Sequence, residues 1–469
     1  MPITLPYNLK FKNGNSAYSA IPIAVGDFDL SVSSGVSPEM YGAVGDGVTD
    51  DTTAWQAALD TGRNVFALSG KYKVGTLTVS KNCVIDCNNA EFICTATKLF
   101  DIHGEVKVTL TGQNSYTANE HQYAIQSETY GNYTGFGMLI GTNNFEETRS
   151  YYYGGFVCTF NNGIMNERYP IDVTNGTNNV TLQLINPITV YLKNISGVSY
   201  SGSSDSAKNY IVIKYGYGCV LENIQAELDD FYAFIDLQKS LNCVLQNLRI
   251  NSKMGSSGTN SYLVAFSDSS FCTVKDSYLF NKYWHCVTTG NSYLCYHNTV
   301  ENCSLLCDSG GAFVDHPNGI NTIVKGCTVC GIGIGGLGVV EDCVILRSSS
   351  GCNINIFPTT GPLITGADII NVRFNNTNSA SITVRPNPYQ SDVRYYVDNI
   401  YIADVKITKK TGSLSIGYNI DSVISDLNAY FTIGDIIVSD CYATIDFNSD
   451  SPNVTRTGEH IVLRNCSRS

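Results

Sequence analysis

Three aspartates in the middle of the chain end short apolar segments in a similar way. Asp236 ends the segment Phe-Ile-Asp, Asp268 ends Phe-Ser-Asp and Asp315 ends Phe-Val-Asp, while a fourth segment, Cys-Val-Thr, ends at Thr288. If the first residue of each segment points inward, the four polar residues form a column on one outer face. Paired carboxyl groups can cleave a glycosidic bond, because one protonates the leaving oxygen and the other activates water or attacks directly.

The spacing within this column indicates which pair could act. Neighbouring strands lie ~4.8 Å apart, so Asp236 and Asp268 would be ~5 Å apart and Asp268 and Asp315 ~10 Å apart. A separation of about 5 Å suits a retaining pair, and about 6.5–9.5 Å suits an inverting pair. We therefore predict Asp268 and Asp315 as general acid and base, in either order, with Asp236 as their neighbour. The alternative is that each aspartate only caps a turn or binds backbone amides.

Aromatic and polar residues between these aspartates could bind a sugar. Tyr283, Trp284 and His285 are consecutive, and Trp284 is one of two tryptophans in the chain. An apolar ring face packs well on the C–H face of a pyranose, so we predict that these three residues contact substrate. His316 could tune a carboxylate or act as a base, and Asp308, on a Gly-rich loop, is a reserve carboxylate. The alternative is that Trp284 packs between coils and that His316 is a satisfied surface histidine.

The elements that must position these residues are indicated by an internal repeat. An apolar residue, any residue, and then Asn, Asp or Gly recur at intervals of roughly 25 residues, a length typical of solenoids. Short strands separated by turn-forming residues favour a parallel β-helix, in which each coil buries its inner face only by stacking on its neighbours. The apolar positions of the repeat are Leu221, Leu245, Val274, Val300, Val324, Val340, Ile369, Ile402, Val438 and Leu463.

The 17 cysteines follow the same repeat. Cys219, Cys243 and Cys272 precede the turn residue by four positions, which predicts an inward column of small buried hydrophobic side chains. The Cys327-x-x-Cys330 pair has no second pair at ligand spacing, so we predict reduced, buried thiols and no metal or other cofactor.

Three further segments complete the predicted organisation. Asp50 to Leu59 has a helical apolar stripe and an Asp cap, which predicts a short helix. Residues 1–38 lack the repeat and are interpreted as an attachment segment and linker. Residues 39–469 are interpreted as the β-helix domain, with a strand-rich insertion at 112–190.

The segment that begins at Tyr41, YGAVGDGVTDDTTAWQAALD, resembles the entry signature of the pectate-lyase-like superfamily. The following segment GKYKVGTL, from Gly70, resembles its next strand. The resemblance implies a right-handed single-stranded parallel β-helix whose end is covered by a short helix. The whole layout is similar to that of bacteriophage tailspikes and capsule depolymerases. That similarity implies a homotrimer that attaches to a phage tail or baseplate protein through its N-terminus and acts on a capsule or O-antigen polysaccharide at the bacterial surface.

Composition narrows the possible partners. The net charge is −12, which disfavours nucleic acids and anionic lipid surfaces because both recruit clustered Lys and Arg. The sequence contains neither a run of about 18 apolar residues nor a pattern typical of a secretory signal peptide. We therefore expect a protein made in a cytoplasm and without membrane insertion, and the resemblance to tailspikes implies that it is part of a virion made in the bacterial host.

Two other functions fit the same predicted fold. A polysaccharide lyase could use Ca²⁺ bound by Glu227, Asp229 and Asp230 with Arg249 as base, or could dispense with metal and use Tyr283 or His285 as base. A receptor-binding spike without catalysis would share the fold, and in such a spike Asp268→Asn would change nothing.

Overall fold

The computed structural model describes residues 35–113, 116–117, 122–144, 153–169, 180–201, 209–228, 231–252, 261–282, 284–308, 310–316, 318–347, 351, 353–357, 367–375, 379–384, 394–397, 400–407, 413–418, 430–433, 436–439, 444–448, 454–456 and 461–464. Among these residues no helix has both the length and the apolar character needed to cross a membrane.

The predicted repeat is the coil repeat of a parallel β-helix. Each apolar repeat residue is the register partner of the next, in an unbroken series from Leu221 to Leu463. The members from Leu221 to Ile402 are fully buried. Because side chains alternate across a strand, columns of alternate residues line the interior of the coils.

Two faces of the coil belong to one continuous parallel sheet, here called the large sheet. Its longest strands bend around the corner between the two faces, and later coils use two short strands instead. In the described part of the chain its 22 strands are Asp46–Asp50, Val65–Phe66, Lys71–Val74, Cys83–Cys94, Val190–Tyr200, Val220–Leu228, Val244–Gln246, Arg249–Ser252, Thr273–Lys275, Tyr278–Asn281, Thr299–Glu301, Ser304–Cys307, Ile323–Lys325, Thr328–Val329, Gly338–Glu341, Val344–Ile345, Ala367–Ile370, Arg373–Phe374, Ile400–Ala403, Lys406–Ile407, Ile436–Ser439 and Ile461–Arg464.

The third face is a separate parallel sheet, here called the twelve-stranded sheet after its strands in the described residues. These strands are Leu77–Val79, Phe100–His103, Asn209–Lys214, Ala233–Gln238, Tyr262–Ser267, His285–Gly290, Phe313–Asp315, Ile332–Ile334, Asn353–Ile356, Ser379–Val384, Ser413–Tyr418 and Thr444–Asn448. Shorter pairings join Cys295–Tyr296 with Gly319–Ile320, Tyr116–Thr117 with Gln122–Tyr123, and Arg394–Val397 with Tyr430–Ile433 and Val454–Arg456.

The corner between the two faces of the large sheet explains the Asn, Asp or Gly of the repeat. These residues have φ between 50° and 63°, a left-handed conformation that Asn, Asp and Gly adopt most readily. Their side chains also hydrogen-bond along the stack, as in Asn302 Nδ2 to Asp276 Oδ1 at 3.3 Å and Asn371 Nδ2 to Asp342 Oδ1 at 2.7 Å. The corner residues are Asn223, Asn247, Asp276, Asn302, Gly326, Asp342, Asn371 and Asp404.

The described cysteines are free and buried, as predicted. Cys219, Cys243 and Cys272 stack in one column inside the coils, at less than 1% exposure. Burial raises the pKa of the Cys83 thiol to about 12, so this group stays neutral and packs as a small apolar side chain.

The predicted helix is confirmed and spans Thr52–Asp60 after a 3-10 turn at Pro38–Tyr41. Trp55 is fully buried and packs edge-on against Tyr72 and Phe92, with ring centroids 5.2 and 5.3 Å away. The helix therefore covers the apolar interior at the N-terminal end of the described coils. Asp51 accepts hydrogen bonds from the Val44 and Gly45 amides rather than from the first turn of the helix.

An antiparallel sheet interrupts the coils between Phe100–His103 and Val190–Tyr200. Its strands are Glu105–Gln113, Gly135–Asn144, Tyr153–Asn161, Ile164–Met165 and Val180–Asn186. Phe156 and Tyr169 stack at 3.7 Å, and Tyr169 lies 4.9 Å from Tyr296 on the coils. This antiparallel sheet thus packs over the turns that follow the twelve-stranded sheet. The division of the chain at residue 38 and the insertion limits 112–190 stay predictions.

Candidate functional site

The predicted column of polar residues is wrong in register. Asp236 pairs with Ala265, Ala265 pairs with Thr288, and Thr288 pairs with Val314. Asp268 therefore lies three residues beyond its predicted position, and Asp315 lies one residue beyond. The first apolar residues of the predicted segments are therefore not register partners. A shift of one residue in such an alignment moves a side chain to the other face of the sheet.

Asp315 points into the coils rather than outward. It is the register partner of Thr289, which pairs with the core residue Phe266. Asp315 Oδ1 accepts hydrogen bonds from Thr289 Oγ1 at 2.9 Å and Thr322 Oγ1 at 3.1 Å, and Oδ2 accepts one from Gly335 N at 3.1 Å. Burial raises the pKa of Asp315 to about 6. The carboxyl group connects three successive coils from within.

Asp268 occupies the turn after strand Tyr262–Ser267, with φ 57°. Its Oδ1 accepts hydrogen bonds from the Ser292 and Tyr293 amides at 2.8 and 2.7 Å, and Asn291 Nδ2 donates to Oδ2 at 3.0 Å. The side chain is 1% exposed, and burial raises its pKa to about 6. This is the turn-capping arrangement that the sequence left open as the alternative.

Asp236 is the predicted carboxylate that faces outward from the twelve-stranded sheet. Gln238 Nε2 and Ser267 Oγ donate to it at 2.7 and 2.6 Å, and Asn209 Nδ2 donates at 3.2 Å. Burial raises the pKa of Asp236, while the hydrogen bonds from Gln238 and Ser267 oppose that rise. The net change in the pKa of Asp236 is upward, the direction that a general acid requires.

A second outward carboxylate, Asp101, was missed in the sequence. Asp101 pairs with Val212, which pairs with Asp236, so the two aspartates stand two coils apart, ~10 Å between Cα atoms. Lys98 Nζ binds Asp101 Oδ2 at 3.0 Å. The antiparallel sheet separates the two residues by more than a hundred positions in sequence, which hid the pairing. The alternation Phe100-Asp101-Ile102 was the available signal.

Next to Asp236 runs a row of partly exposed residues, here called the polar strip. It comprises His103, Lys214, Gln238, Ser267 and Gly290, which are consecutive register partners at the ends of their strands. His316 extends the row, since a β-carbon on Gly290 would lie 3.2 Å from His316 Cδ2. Four steps of ~4.8 Å make the strip about 19 Å long, comparable to several sugar units.

An aromatic group lies at the opposite ends of the same strands. The ring of Trp284 is 5.1 Å from that of His285, which stacks on Tyr262 at 6.0 Å, and Tyr262 contacts Tyr232 at 5.5 Å. Tyr232 is 42% exposed. The buried Trp284 Nε1 has no hydrogen-bond partner in the structure as described. Tyr283 lies outside the described residues.

His285 is held in one neutral form. Its Nδ1 lies 2.5 Å from the Gly311 carbonyl oxygen, so Nδ1 carries the proton and Nε2 keeps its lone pair. Burial lowers the pKa of His285 to about 4. The ring therefore acts as an uncharged hydrogen-bonding group at neutral pH.

The predicted substrate-binding residues divide into two groups. Trp284 and His285 stand at the start of strand His285–Gly290, and exposed Asp308 lies on their side, with its amide 3.3 Å from the Lys282 carbonyl. His316 is next to Asp315 at the other end, ~16 Å away by strand length. Asp236 lies between the two groups.

The residues of the calcium alternative belong to another face. Glu227 and Arg249 are exposed on the large sheet, where Arg249 pairs with Gln225 and packs over Tyr278 at 5.9 Å. Asp229 and Asp230 lie outside the described residues.

The chain resembles known proteins in its three-dimensional structure. No protein-family model and no curated protein matches the sequence. The Gp54 tailspike of Acinetobacter baumannii bacteriophage AP22, solved in complex with A. baumannii capsular saccharide, superposes with a TM-score of 0.66 at 13% identity, over 92% of this chain and 76% of the tailspike. The tailspike protein gp49 of Pseudomonas phage LKA1 gives 0.62 at 15% identity, over 90% and 84%. Tailspike gp61 of Pseudomonas phage phi297 gives 0.62 at 12% identity, over 92% and 80%. These identities establish similarity of fold, and the chain accordingly has the right-handed parallel β-helix fold that phage tailspikes share with pectate-lyase-like proteins.

Proposed function

We propose that this protein is a phage tailspike that binds a bacterial surface polysaccharide, capsule or O-antigen, and depolymerises it by hydrolysis. The observation that carries the proposal is Asp236, a buried carboxyl group that faces outward beside the polar strip. The saccharide bound to the AP22 tailspike supports the substrate class.

Hydrolysis assigns different tasks to Asp236 and Asp101. The raised pKa of Asp236 suits a general acid that protonates the leaving oxygen. Asp101, which is 28% exposed by side chain and ion-paired with Lys98, suits the carboxylate that activates water. Their Cα separation of ~10 Å allows the carboxyl groups to approach the distance of about 6.5–9.5 Å of inverting enzymes. The expected product therefore has inverted anomeric configuration.

The aromatic group supplies the binding platform. Tyr232 presents an exposed ring, and Trp284 supplies an indole N–H without a partner among the described residues. An aromatic face packs against a pyranose, while a free buried donor gains most from a ligand hydroxyl.

The proposed assembly follows the tailspike layout. Residues 1–38 attach the protein to the phage tail or baseplate, and residues 39–469 form a homotrimer of β-helices in the virion. Size-exclusion chromatography with light scattering, on the full chain and on a chain lacking residues 1–38, tests the trimer. Virion incorporation of the two chains tests the attachment.

The proposed activity is tested with a panel of capsular and O-antigen polysaccharides, by following new reducing ends and the ultraviolet absorbance of unsaturated uronate. Reducing ends without absorbance identify a hydrolase, and absorbance identifies a lyase. Host-cell binding without either signal identifies a non-catalytic spike.

Variants then locate the site. Asp236→Asn and Asp101→Asn are each expected to lower the cleavage rate by a factor of about 10² or more. Asp276→Asn is the matched control, because Asp276 is an exposed corner residue on the large sheet and Asn occupies that position in other coils. Full activity of both Asp236→Asn and Asp101→Asn would contradict the assignment.

A further inference from the structure

Two lysines on successive coils lie at the polar strip, Lys214 within it and Lys239 directly after its member Gln238. Lys214 ends strand Asn209–Lys214, and Lys239 follows strand Ala233–Gln238. Within the described residues, no Asp or Glu oxygen lies within 4.0 Å of either ammonium group.

Aromatic rings hold both ammonium groups at the junction with the antiparallel sheet. Lys214 Nζ lies 5.1 Å from the centroid of Tyr215, and Lys239 Nζ lies 5.2 Å from that of Tyr293. Tyr293 in turn contacts Tyr153 of the antiparallel sheet at 6.2 Å. Contacts of this kind orient a cation without neutralising it.

The charges around Lys239 act on its pKa in opposite directions. Burial lowers the pKa of Lys239, the charge of Asp268 opposes this, and the charge of Lys214 adds to it. Asp268 already accepts three hydrogen bonds from Asn291, Ser292 and Tyr293. The like charge of Lys214 opposes ionisation of Lys239, and a bound anion would offset that effect.

We propose that Lys214 and Lys239 form a subsite for the carboxylate of an acidic sugar, so that the polysaccharide contains uronic acid or another carboxylated unit. This inference rests on the proposed function and narrows its substrate class. The subsite adjoins Gln238 in the polar strip, and Gln238 donates to Asp236. An acidic unit bound there places the polymer along the strip, beside the proposed general acid.

The test uses the polysaccharide that the full-length protein binds, in its native form and after chemical reduction of its carboxyl groups to alcohols. Binding is measured by calorimetry for the wild type and for Lys214→Met, Lys239→Met and the double variant. Met preserves much of the apolar stem of Lys without its charge. Lys193→Met is the matched control, because Lys193 also lies over a ring, that of Tyr191 at 5.3 Å, but is neutralised by Asp86 at 3.1 Å.

Carboxyl reduction is expected to weaken wild-type binding about tenfold or more, since charge-assisted hydrogen bonds are lost. The double variant should lose the same factor toward the native polymer and be insensitive to reduction, whereas Lys193→Met should behave as wild type. Binding of a neutral polymer, or equal sensitivity to reduction in the wild type and the double variant, would overturn the subsite while leaving the proposed function in place. Failure of the wild type to bind any polysaccharide would overturn both.

Discussion

Asp315 allows a clear test of whether a carboxylate has a structural or a catalytic role. Its pKa rises from 3.8 to about 6 on folding because the group is buried. Between these values the folded chain binds more protons at this site than the unfolded chain, so the free energy of unfolding falls as the pH rises. Integration gives a loss of about 1 kcal/mol between pH 5 and pH 8, within a full linkage of about 3 kcal/mol.

The substitution Asp315→Asn removes this titration. The amide oxygen can still accept from Thr289 and Thr322, but its NH₂ group then faces the Gly335 amide, which costs about 1–3 kcal/mol. We expect a less stable variant whose unfolding free energy depends less on pH, by about 1 kcal/mol between pH 5 and pH 8. The measurement is urea unfolding of wild type and variant at pH 5, 6.5 and 8, with Asp276→Asn as control.

The same samples are assayed for cleavage at pH 6.5 under conditions in which the variant is folded. Retained cleavage with reduced stability is expected for a carboxyl group inside the coils. Wild-type stability and pH dependence combined with abolished cleavage would refute the reasoning and restore Asp315 to the active site.

Four further outcomes are expected. Cleavage by the wild type should decline on the alkaline side as the general acid Asp236 deprotonates, and Asp236→Asn should lack that limb; an unchanged limb in the residual activity would contradict the role. Trp284→Phe, which removes the indole N–H and keeps a ring, should weaken polysaccharide binding by about 1–3 kcal/mol as measured by calorimetry, with urea unfolding as the check that the variant is folded. Asn247→Gly should be nearly neutral and Asn247→Val should destabilise by ~1–2 kcal/mol or more, because Asn247 has φ 55°; equal unfolding midpoints would refute the corner argument. A thiol reagent should label at most three of the 17 cysteines rapidly in the native protein and all of them in urea, because the other 14 are buried.

The coil architecture was predictable because it depends on local periodicity. An inward apolar residue and a left-handed corner residue recur in every coil, as at Leu245 and Asn247, and each is visible in the linear sequence. The capping helix was predictable for the same reason, since Trp55 and its neighbours form an apolar stripe within nine residues.

The carboxylate site depended on tertiary structure. The register of its strands depends on where each strand begins after a turn of variable length. An error of one residue in the sequence alignment therefore placed Asp315 outside the coils, whereas it lies inside. Asp101 lies in the same row of register partners as Asp236 because the coils resume after the antiparallel sheet. The spacing of residues in the sequence does not reveal where they resume. The sequence by itself determined that coils form and which residues line them, because burial and turn geometry are local requirements. Only the stacking of the coils decided which polar side chains meet, because neighbours on a face come from different turns of the solenoid.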